Sequence, residues 1–506
     1  MYRVVSPEVM RRCEERNFAA GTADALELMQ IAGNGCAGEF LKFFSTLKKR
    51  ERVIIYTGGG NNGGDGMVAA SILADKLSIP VVLAMAAVPE KLSESSHFYF
   101  ERLNKKVTVM PAGEVQLNWH DAVIDALLGT GCTAPIREPY CSLIEYINNS
   151  HVPVFAVDLP SGLGSDRCIK ASRTAVIGYF KDLLFTPEGI ENAGTLRRIP
   201  LPLPITPETG NAPLCQAVDL QYYQATTQTL PRSCHKYQKG NLLICGGSRD
   251  YIQAPFLSAR SALRAGAGLV RLALPFAVLP GTGTLGVIPM HLAADNGYFS
   301  ETSFDALKSI LPKCHAIAAG PGMGRSSGVA DFIRQLLLID KPLLLDADAI
   351  HASCQLPLNM LRDRTAPTIF TPHRGEAAIM AQAWNLSLSG NDIQDARSLA
   401  RTAKVIVLLK GPRTVVAAPD GEIWLNTSGS PALAAAGSGD CLTGIIASNM
   451  CRYDALSATL RGAFLHGLAG ELAEQHYGVS GVIADDLPEM AAQANMLTAR
   501  YGDIFA

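Results

Sequence analysis

Residues 53–66 have the sequence Val-Ile-Ile-Tyr-Thr-Gly-Gly-Gly-Asn-Asn-Gly-Gly-Asp-Gly. The apolar run at its start predicts a buried strand, followed by a loop over Thr57 to Gly66 and a helix from Met67 to about Leu77. Glycines in such a loop let backbone N–H groups approach an anion at the start of the helix. The pattern therefore predicts a phosphate-binding turn, with a tight turn that binds no ligand as the alternative.

Further strands are predicted on either side of this turn. Residues 80–85, 122–128 and 154–157 are short apolar runs separated by helical patterns. Strands that alternate with helices in this way pair in parallel and are joined by right-handed crossovers. The first half of the chain is therefore predicted to be an α/β domain.

Two of these strands end close to an acidic residue, Asp125 or Asp158. Because ligands of parallel sheets lie beyond the carboxyl ends of the strands, both carboxylates are expected to face one cleft. Asp158 could move a proton to or from a substrate. The oxygens of Asn62, Asp125 and Ser161 are hard ligands that could hold a metal cation. The alternative is that each aspartate only caps the turn that follows it.

A change of composition separates the two halves. Residues 199–207 are rich in proline and are predicted to be extended. This predicts a boundary between a first domain of residues 1–215 and a second domain of residues 226–506. A new α/β series begins at residue 241. Its predicted strands are residues 241–247, 269–274, 315–320, 343–346, 368–371 and 405–409.

The strongest motif of the second half is Gly-Ser-Gly-Asp at residues 437–440, before a helix predicted over residues 441–448. Small residues before a helix leave N–H donors free to stabilise a migrating phosphoryl group. Asp440 can take a proton from a hydroxyl as that hydroxyl attacks phosphorus. The alternative is that Asp440 simply caps the helix.

Other polar residues follow further strands of this half. Lys410 to Thr414 could bring an ammonium and backbone N–H groups to an adenylate phosphate. His373 lies in a loop, where it is either a ligand contact or a satisfied structural residue. The glycines of residues 320–324 let the backbone pass close to a ligand. Asp346 and Asp348 end a buried strand and are either catalytic or bonded to neighbouring loops.

Composition excludes several classes of protein. The chain has 506 residues, 48% hydrophobic and 18% charged, which is typical of a globular protein with two or three domains. A formal net charge of −2 argues against a nonspecific nucleic-acid binder. No apolar run reaches the roughly 20 residues of a membrane span, and residues 1–20 lack the apolar core of a secretory signal. The 12 cysteines contain no Cys-x-x-Cys pair, so neither zinc nor a disulfide framework is indicated. We expect a cytoplasmic protein.

Several motifs of the first half form a set, namely residues 28–33, 61–66, 125–131, 137–139 and 158–162. Over about residues 5–195 they resemble the NAD(P)H-hydrate epimerase domain, which interconverts the R and S forms of hydrated NADH or NADPH. The resemblance implies a Rossmann-like three-layer fold, Asp158 as the acid/base, and a potassium ion on Asn62, Asp125 and Ser161. The substrate-binding residues that it implies are Asn61, Asn62, Gly63, Gly64, Asp65, Gly129, Thr130, Gly131, Cys132, Thr133, Ala134, Pro135 and Asp158.

The sequence departs from this family after residue 162. The short turn Leu163 to Cys168 replaces a longer insert, and Lys181 has an atypical setting. The resemblance therefore leaves open whether Lys181 takes part in catalysis and whether the domain retains epimerase activity.

The second half contains an ordered set of motifs, namely residues 235–240, 246–248, 254–255, 263–270, 320–322, 346–349, 371–373, 409–411, 437–440 and 466–467. They resemble the ADP- or ATP-dependent NAD(P)H-hydrate dehydratase domain, which has a ribokinase-like α/β fold. The resemblance implies that Asp440 is catalytic. It implies hydrate contacts at Ala254, Gly324, His373 and Asp440, and nucleotide contacts at Lys410, Gly411, Pro412, Arg413, Thr414 and Gly439.

Together the two resemblances imply repair of hydrated NADH and NADPH by an isomerase joined to a carbon–oxygen lyase. Asp440 would activate the hydroxyl on C6 of the hydrated nicotinamide, which takes a phosphoryl group from ADP or ATP before phosphate leaves. Magnesium is expected with the nucleotide, and the chain is expected to form a homo-oligomer. One alternative is a ribokinase-superfamily small-molecule kinase with an accessory nucleotide-binding domain. Another is a nucleotide-sensing scaffold without catalysis. The pairing of an epimerase with an S-specific dehydratase favours repair over both.

Overall fold

The computed structural model describes residues 3–132, 134–204, 215–277 and 286–499. The chain divides into two compact units between Gln216 and Ala217. Residues 217–225, which the sequence-based boundaries assign to neither domain, belong to the second unit. None of the helices in the described ranges is both long and apolar enough to cross a membrane.

The first unit contains a seven-stranded parallel sheet. Its helices and strands are β1 (Arg3–Val5), α1 (Pro7–Ala19), α2 (Ala25–Phe44), β2 (Arg52–Thr57), α3 (Asn61–Lys76), β3 (Val81–Met85), α4 (Glu94–Glu101), β4 (Thr108–Pro111), β5 (Asp121–Ala126), α5 (Tyr140–Asn149), β6 (Val154–Val157), β7 (Arg173–Ile177), β8 (Phe180–Lys181), α6 (Pro187–Asn192) and β9 (Thr195–Ile199). The strand order of the sheet is β4-β3-β2-β5-β6-β7-β9, and every neighbouring pair is parallel. Counted from β2, the first six strands have the Rossmann order 3-2-1-4-5-6.

Helices cover both faces of this sheet. Side chains of a strand alternate between its faces. Val53 and Ile55 accordingly pack into a core with α2 and α3, whereas Ile54 and Tyr56 pack into a second core with α5. The predicted Rossmann-like three-layer architecture is confirmed.

The start of α3 differs from the sequence-based prediction. Residues 61–66 were expected to be loop, but α3 begins at Asn61 and includes three glycines of the motif. Glycine is a poor helix former, so local propensity favoured a loop. Packing reverses this preference: a Cβ on Gly63 would lie 2.1 Å from the Gly58 carbonyl oxygen, and one on Gly66 would lie 2.8 Å from the Ala126 Cβ. The glycines are therefore helical where the helix approaches the sheet most closely.

The packing of α2 against α3 leads to a test of stability. A Cβ on Gly33 would lie 2.4 Å from the Val68 Cβ, whereas one on Gly38, in the same helix, would meet nothing within 4 Å. We expect Gly33→Ala to lower the free energy of unfolding by about 1–3 kcal/mol. Gly38→Ala should raise it by about 0.5–1 kcal/mol, because alanine loses less backbone entropy. Calorimetric unfolding of both full-length variants measures the difference, and equal effects would contradict this packing.

The second unit also has a mixed α/β architecture. The chain enters it within β10 (Cys215–Val218). The elements that follow are α7 (Leu220–Ala225), β11 (Asn241–Cys245), α8 (Ala254–Arg264), β12 (Leu269–Leu274), β13 (Val287–His291), β14 (Ala316–Ala319), α9 (Ser327–Leu337), β15 (Leu343–Leu345), α10 (Asp348–Ser353), α11 (Asn359–Arg362), β16 (Thr368–Phe370), α12 (Arg374–Ala383), α13 (Asp392–Ala403), β17 (Ile406–Leu409), β18 (Val415–Ala417), β19 (Ile423–Asn426), α14 (Ser438–Met450), α15 (Ala455–Tyr477) and α16 (Leu487–Thr498).

Neighbouring strands of this unit follow the order β13-β12-β11-β14-β15-β16-β17-β18-β19. Pairing is parallel from β13 to β17 and antiparallel from β17 to β19. The α/β class predicted for this half is confirmed. The loops that follow β14, β15, β16 and β17 leave the sheet at its carboxyl edge, where ligands of such sheets bind.

Helix α14 begins three residues earlier than predicted, at Ser438 rather than Cys441. A Cβ on Gly444 would lie 2.0 Å from the Ser258 carbonyl oxygen, so α14 packs closely against α8. Gly437 is the N-cap, has a φ of +91°, and provides no side-chain cap. Asp440 lies within the first turn, so the alternative that it caps the helix is wrong.

Candidate active sites

A cavity of about 440 Å³ lies in the first unit, beside the start of α3 and the carboxyl ends of β5 and β6. It brings together many of the residues assigned to the first site from the sequence. Those that line it are Asn61, Asn62, Asp65, Gly129, Thr130, Gly131, Cys132 and Asp158.

The remaining predicted residues of this site have other positions. Gly63 and Gly64 are buried in α3 and are not among the lining residues; a Cβ on Gly64 would lie 2.4 Å from the Met29 sulfur. Ala134 and Pro135 also do not line the cavity. Thr133 lies outside the described residues. Substrate contacts of these five residues stay predictions.

A buried ion pair lies in the cavity. Asp158 directly follows β6 and has a φ of +66°. Its Oδ1 accepts hydrogen bonds from the Lys181 ammonium and from the Ile177 N–H, the latter at 3.0 Å. The Lys181 Nζ also donates to the Ile177 carbonyl at 2.7 Å. Lys181 is 1% exposed and lines the cavity, so a fixed cation adjoins the predicted acid/base.

The three predicted metal ligands are connected by hydrogen bonds. Asp125 accepts from the Ser161 hydroxyl at 2.6 Å and from the Ser161 N–H at 2.8 Å. The Leu128 N–H donates to the Ser161 Oγ at 2.8 Å, and the Asn62 amide donates to the Leu128 carbonyl at 3.1 Å. Burial raises the pKa of Asp125 to about 6. An oxygen-only set around a desolvated carboxyl suits a hard cation.

The candidate site of the second unit is centred on the start of α14. Its first turn has backbone N–H groups without intrahelical partners, and Gly437 supplies no side-chain cap. The Lys410 Nζ lies 3.5 Å from where a Cβ on Gly439 would be. His466 Nε2 is 3.0 Å from the Ser438 carbonyl oxygen, and burial lowers the His466 pKa to about 4. A helix N-terminus and an ammonium therefore adjoin Asp440.

Asp440 has the properties of a general base at neutral pH. Burial and the neighbouring Asp346 carboxylate raise the Asp440 pKa to about 7, against the opposing effect of Lys410. Its backbone is fixed by Ser258, whose hydroxyl donates to the Asp440 carbonyl at 2.8 Å. The same hydroxyl is 3.2 Å from the carbonyl of Ala254, a predicted hydrate contact. Ser258 thus connects two residues predicted for the same site.

Asp346 joins three elements around Lys410. Its carboxylate is 2% exposed and accepts from the Lys410 Nζ at 2.9 Å, the Thr371 hydroxyl at 2.8 Å and the Thr443 hydroxyl at 2.7 Å. Glu376 Oε2 lies 3.7 Å from the same Nζ. The sequence left open whether Asp346 is catalytic or bonded to neighbouring loops, and the structure shows the hydrogen-bonded role.

The loop that contains Gly324 is held in a similar way. Asp348 accepts from the Gly324 N–H at 2.8 Å, and its other oxygen lies 3.4 Å from the Arg325 Nε. Asp348 is therefore also bonded to a neighbouring loop, and it fixes the backbone of a predicted hydrate contact.

The network around Asp346 leads to a second test of stability. Asp346→Ala removes the nearest carboxylate of the Lys410 ammonium and leaves it with Glu376 and Asp440, and we expect a loss of about 3 kcal/mol in the free energy of unfolding. Asp305→Ala is the control, because Asp305 and its partner Lys308 are exposed, and it should change stability by less than about 1 kcal/mol. Denaturant unfolding of the two variants measures the difference; similar midpoints would contradict a structural role for Asp346.

His373 is the N-cap of α12. Its Nδ1 accepts from the Gly375 N–H at 3.0 Å and the Glu376 N–H at 3.2 Å. The neutral ring therefore carries its hydrogen on Nε2. The side chain is 60% exposed, so that N–H can also meet a ligand. The structural role left open by the sequence is present, and a hydrate contact stays a prediction.

The predicted nucleotide-binding segment adjoins His373. Lys410 N–H donates to the Pro372 carbonyl at 2.8 Å, which brings the ends of β16 and β17 together. The Thr414 hydroxyl donates to the Gly411 carbonyl at 3.3 Å, which closes the turn before β18. Predicted hydrate and nucleotide residues therefore meet at one sheet edge.

Two family models match the chain. The model described as YjeF-related protein N-terminus matches residues 25–181, and the NAD(P)H-hydrate dehydratase model matches residues 242–493. The bifunctional NAD(P)H-hydrate repair enzyme Nnr of Salinibacter ruber is 32% identical over 94% of this chain and 92% of its own length. The same enzyme of Moorella thermoacetica is 32% identical over 96% of this chain and 95% of its own length. The chain belongs to the family of bifunctional NAD(P)H-hydrate repair enzymes.

One solved structure that is similar to this chain is the ADP/ATP-dependent NAD(P)H-hydrate dehydratase from Bacillus subtilis co-crystallized with ATP/Mg²⁺. Its sequence is 27% identical, and the match covers 57% of this chain and 100% of the Bacillus subtilis chain, with a TM-score of 0.45. The matched range of the N-terminal family model ends at Lys181, the cation of the buried pair.

The motifs shared with the family did not identify every residue placed at these sites. Glu14 lines the cavity from α1, which lies before the matched range. A signal was present, since Met10, Glu14 and Phe18 are spaced by four residues and form one helical row. Ser258 and Glu376 also had no predicted role, because their contacts with Asp440 and Lys410 join residues that are distant in sequence.

Proposed function

We propose that this chain repairs hydrated NADH and NADPH. The N-terminal unit interconverts the R and S hydrates, and the C-terminal unit uses ADP to dehydrate the S hydrate. Family membership over nearly the whole chain supports both activities. The observation that carries the dehydratase assignment is Asp440, a carboxyl with a pKa of about 7 beside the Lys410 ammonium and the start of α14.

In the C-terminal unit Asp440 would take the proton from the C6 hydroxyl of the hydrated nicotinamide. The hydroxyl oxygen attacks the terminal phosphorus of the nucleotide, and the Lys410 ammonium and the first-turn N–H groups of α14 balance the negative charge. Phosphate then leaves with the former C6 oxygen, and the ring regains its double bond on loss of a proton. Phosphorylation is needed because hydroxide is a poor leaving group. The products are NAD(P)H, phosphate and AMP.

We propose ADP as the phosphoryl donor, with ATP also able to serve. Lys410 to Thr414 and Gly439 would contact it. Magnesium would accompany the phosphates of the nucleotide. Asp346 already accepts hydrogen bonds from Lys410, Thr371 and Thr443, so we expect the metal to be held largely by phosphate and water oxygens.

In the N-terminal unit Asp158 and Lys181 would act at the hydrated nicotinamide, while residues 61–65 and 129–135 bind the dinucleotide. Asn62, Asp125 and Ser161 would hold a potassium ion. The bound cation would neutralise the buried Asp125 carboxylate beside the phosphate-binding turn.

The experiment that tests this function is incubation of the purified chain with mixed R and S hydrates and ADP. Complete conversion to NAD(P)H, followed by absorbance, at a rate above that of the spontaneous interconversion of the hydrates requires both activities. R hydrate left unconverted would mean that the N-terminal unit binds the hydrate without catalysing its epimerisation. Accumulation of a stable phosphorylated product would indicate a small-molecule kinase, and no turnover would indicate a sensor.

We also propose that the protein is cytoplasmic, where its pyridine and adenine nucleotides are used, and that it forms a homo-oligomer. Cell fractionation tests the first statement. Sedimentation velocity tests the second, and a single species with the monomer mass of 53.9 kDa would refute it.

A further inference from the structure

One wall of the N-terminal cavity is formed by α1. Met10, Glu14 and Phe18 are spaced by four residues and line the cavity, as does Arg11. Glu14 is the acidic residue that this helix contributes to the lining. None of the glycine-rich or strand-end motifs includes it.

The other charged groups at the cavity have restricted roles. Asp158 Oδ1 already accepts from the Lys181 ammonium and the Ile177 N–H. Asp65 lies in the first turns of α3, where burial raises its pKa well above the usual range and favours the neutral acid. Asp158 is thus already engaged by two donors, and Asp65 is held as the neutral acid.

Glu14 differs from both. Burial raises its pKa to about 7; Lys181 opposes this increase, and Asp158 and Glu15 add to it. Asp65 is a further electrostatic neighbour, and Arg11 of the same helix pairs with Glu15. At neutral pH Glu14 therefore exists in both protonation states, as a group that exchanges protons with a substrate must.

Interconversion of R and S hydrates inverts the carbon that carries the hydroxyl, C6. Inversion through ring opening breaks the C6–N1 bond. The hydroxyl loses its proton as its oxygen forms a carbonyl with C6, and N1 receives a proton while it keeps the bonding electron pair. Rotation of the aldehyde followed by the reverse steps re-forms the bond on the other face. The reaction thus needs a proton transfer from oxygen and one to nitrogen, and a single group that accepts and returns a proton can perform both.

We propose that Glu14 is a second catalytic residue of the epimerase site and performs this proton transfer, beside the fixed Asp158–Lys181 pair. The inference rests on the proposed epimerase function of the N-terminal unit. Lys181 would hold the oxygen as its negative charge develops, and Glu14 would carry the proton.

The test compares Glu14→Gln with Glu8→Gln in the full chain. Glu8 lies on the same helix, and its side chain is 67% exposed. With purified R hydrate, Glu14→Gln should lower the kcat of epimerisation by about 10²–10⁴-fold with little change in KM. Its residual rate should lose the pH dependence near 7. Glu8→Gln should keep the wild-type rate, and ADP-dependent dehydration of S hydrate should be unchanged in both, which shows that the second unit is folded. The unchanged KM for R hydrate in Glu14→Gln shows that the first unit is folded.

Epimerisation by Glu14→Gln at the wild-type rate would overturn the inference and leave the proposed function intact. So would a rise in KM without a fall in kcat, which would indicate substrate binding alone. If the wild type itself does not epimerise, the proposed function of this unit fails, and the role of Glu14 fails with it. Glu14→Asp provides a second variant that keeps the carboxyl, and it should recover part of the rate and the pH dependence lost in Glu14→Gln.

Discussion

Asp440→Asn should lower the kcat of ADP-dependent dehydration by about 10²–10⁴-fold while epimerisation continues at the wild-type rate. The amide keeps the shape of the carboxyl but cannot take the proton of the attacking hydroxyl. Substrate and nucleotide should still bind, because the Lys410 ammonium and the start of α14 are unchanged. KM is therefore expected to change much less than kcat.

The pH dependence of the wild type gives an independent measure of the same group. Because Asp440 acts as a base and its pKa in the free protein is raised to about 7, kcat/KM should increase with pH through about 7 and then level off. Asp331→Asn is the control, since Asp331 is an exposed residue of α9, and it should keep the wild-type profile. Loss of both activities in Asp440→Asn would contradict two separate sites.

Asp158→Asn should have the opposite effect on the two activities, with loss of epimerisation and retention of dehydration. Epimerisation is expected to fall by about 10²–10⁴-fold, because the buried Lys181 ammonium loses its carboxylate partner and the cavity loses a fixed negative charge. Dehydration of purified S hydrate should be unaffected. With mixed hydrates and ADP, the S form should disappear and the R form should persist except for its spontaneous conversion.

Chromatographic separation of the two hydrates during the reaction measures this result. Asp75→Asn is the control, because Asp75 forms a surface pair with Lys106 and lies outside the cavity. Consumption of both hydrates at the wild-type rate in Asp158→Asn would exclude Asp158 from catalysis. Equal loss of dehydration would point to a folding defect instead.

Most strands could be predicted from the sequence, because buried parallel strands are short apolar runs bounded by polar turns. The residues at which helices α3 and α14 begin could not be predicted in this way. The first turn of each contains glycine, which disfavours helix locally, and in α3 this turn is helical because Gly63 fits closely against the Gly58 backbone. Such contacts exist only after the chain has folded, so local propensity gave the wrong start.

The candidate sites were predictable where a motif follows a strand. Asp158 was singled out in this way, because strand ends at one edge of a parallel sheet converge. Asp440 was singled out by the small residues that precede a helix. Glu14 was not, since it lies on a helix without a motif. The bonded role of Asp346 could not be distinguished from a catalytic one, because its partners Thr371 and Thr443 are separated from it by 25 and 97 positions.

Helices of the first unit cover both faces of its seven-stranded sheet. A sheet whose two faces are covered by helices from the same unit is encoded by a single continuous segment of the gene. Such a segment can be duplicated, moved or lost in evolution as a whole. We therefore expect the first activity to be inheritable separately from the second. A lineage that discards the first would still consume one stereoisomer but would have no activity of this family to convert the other.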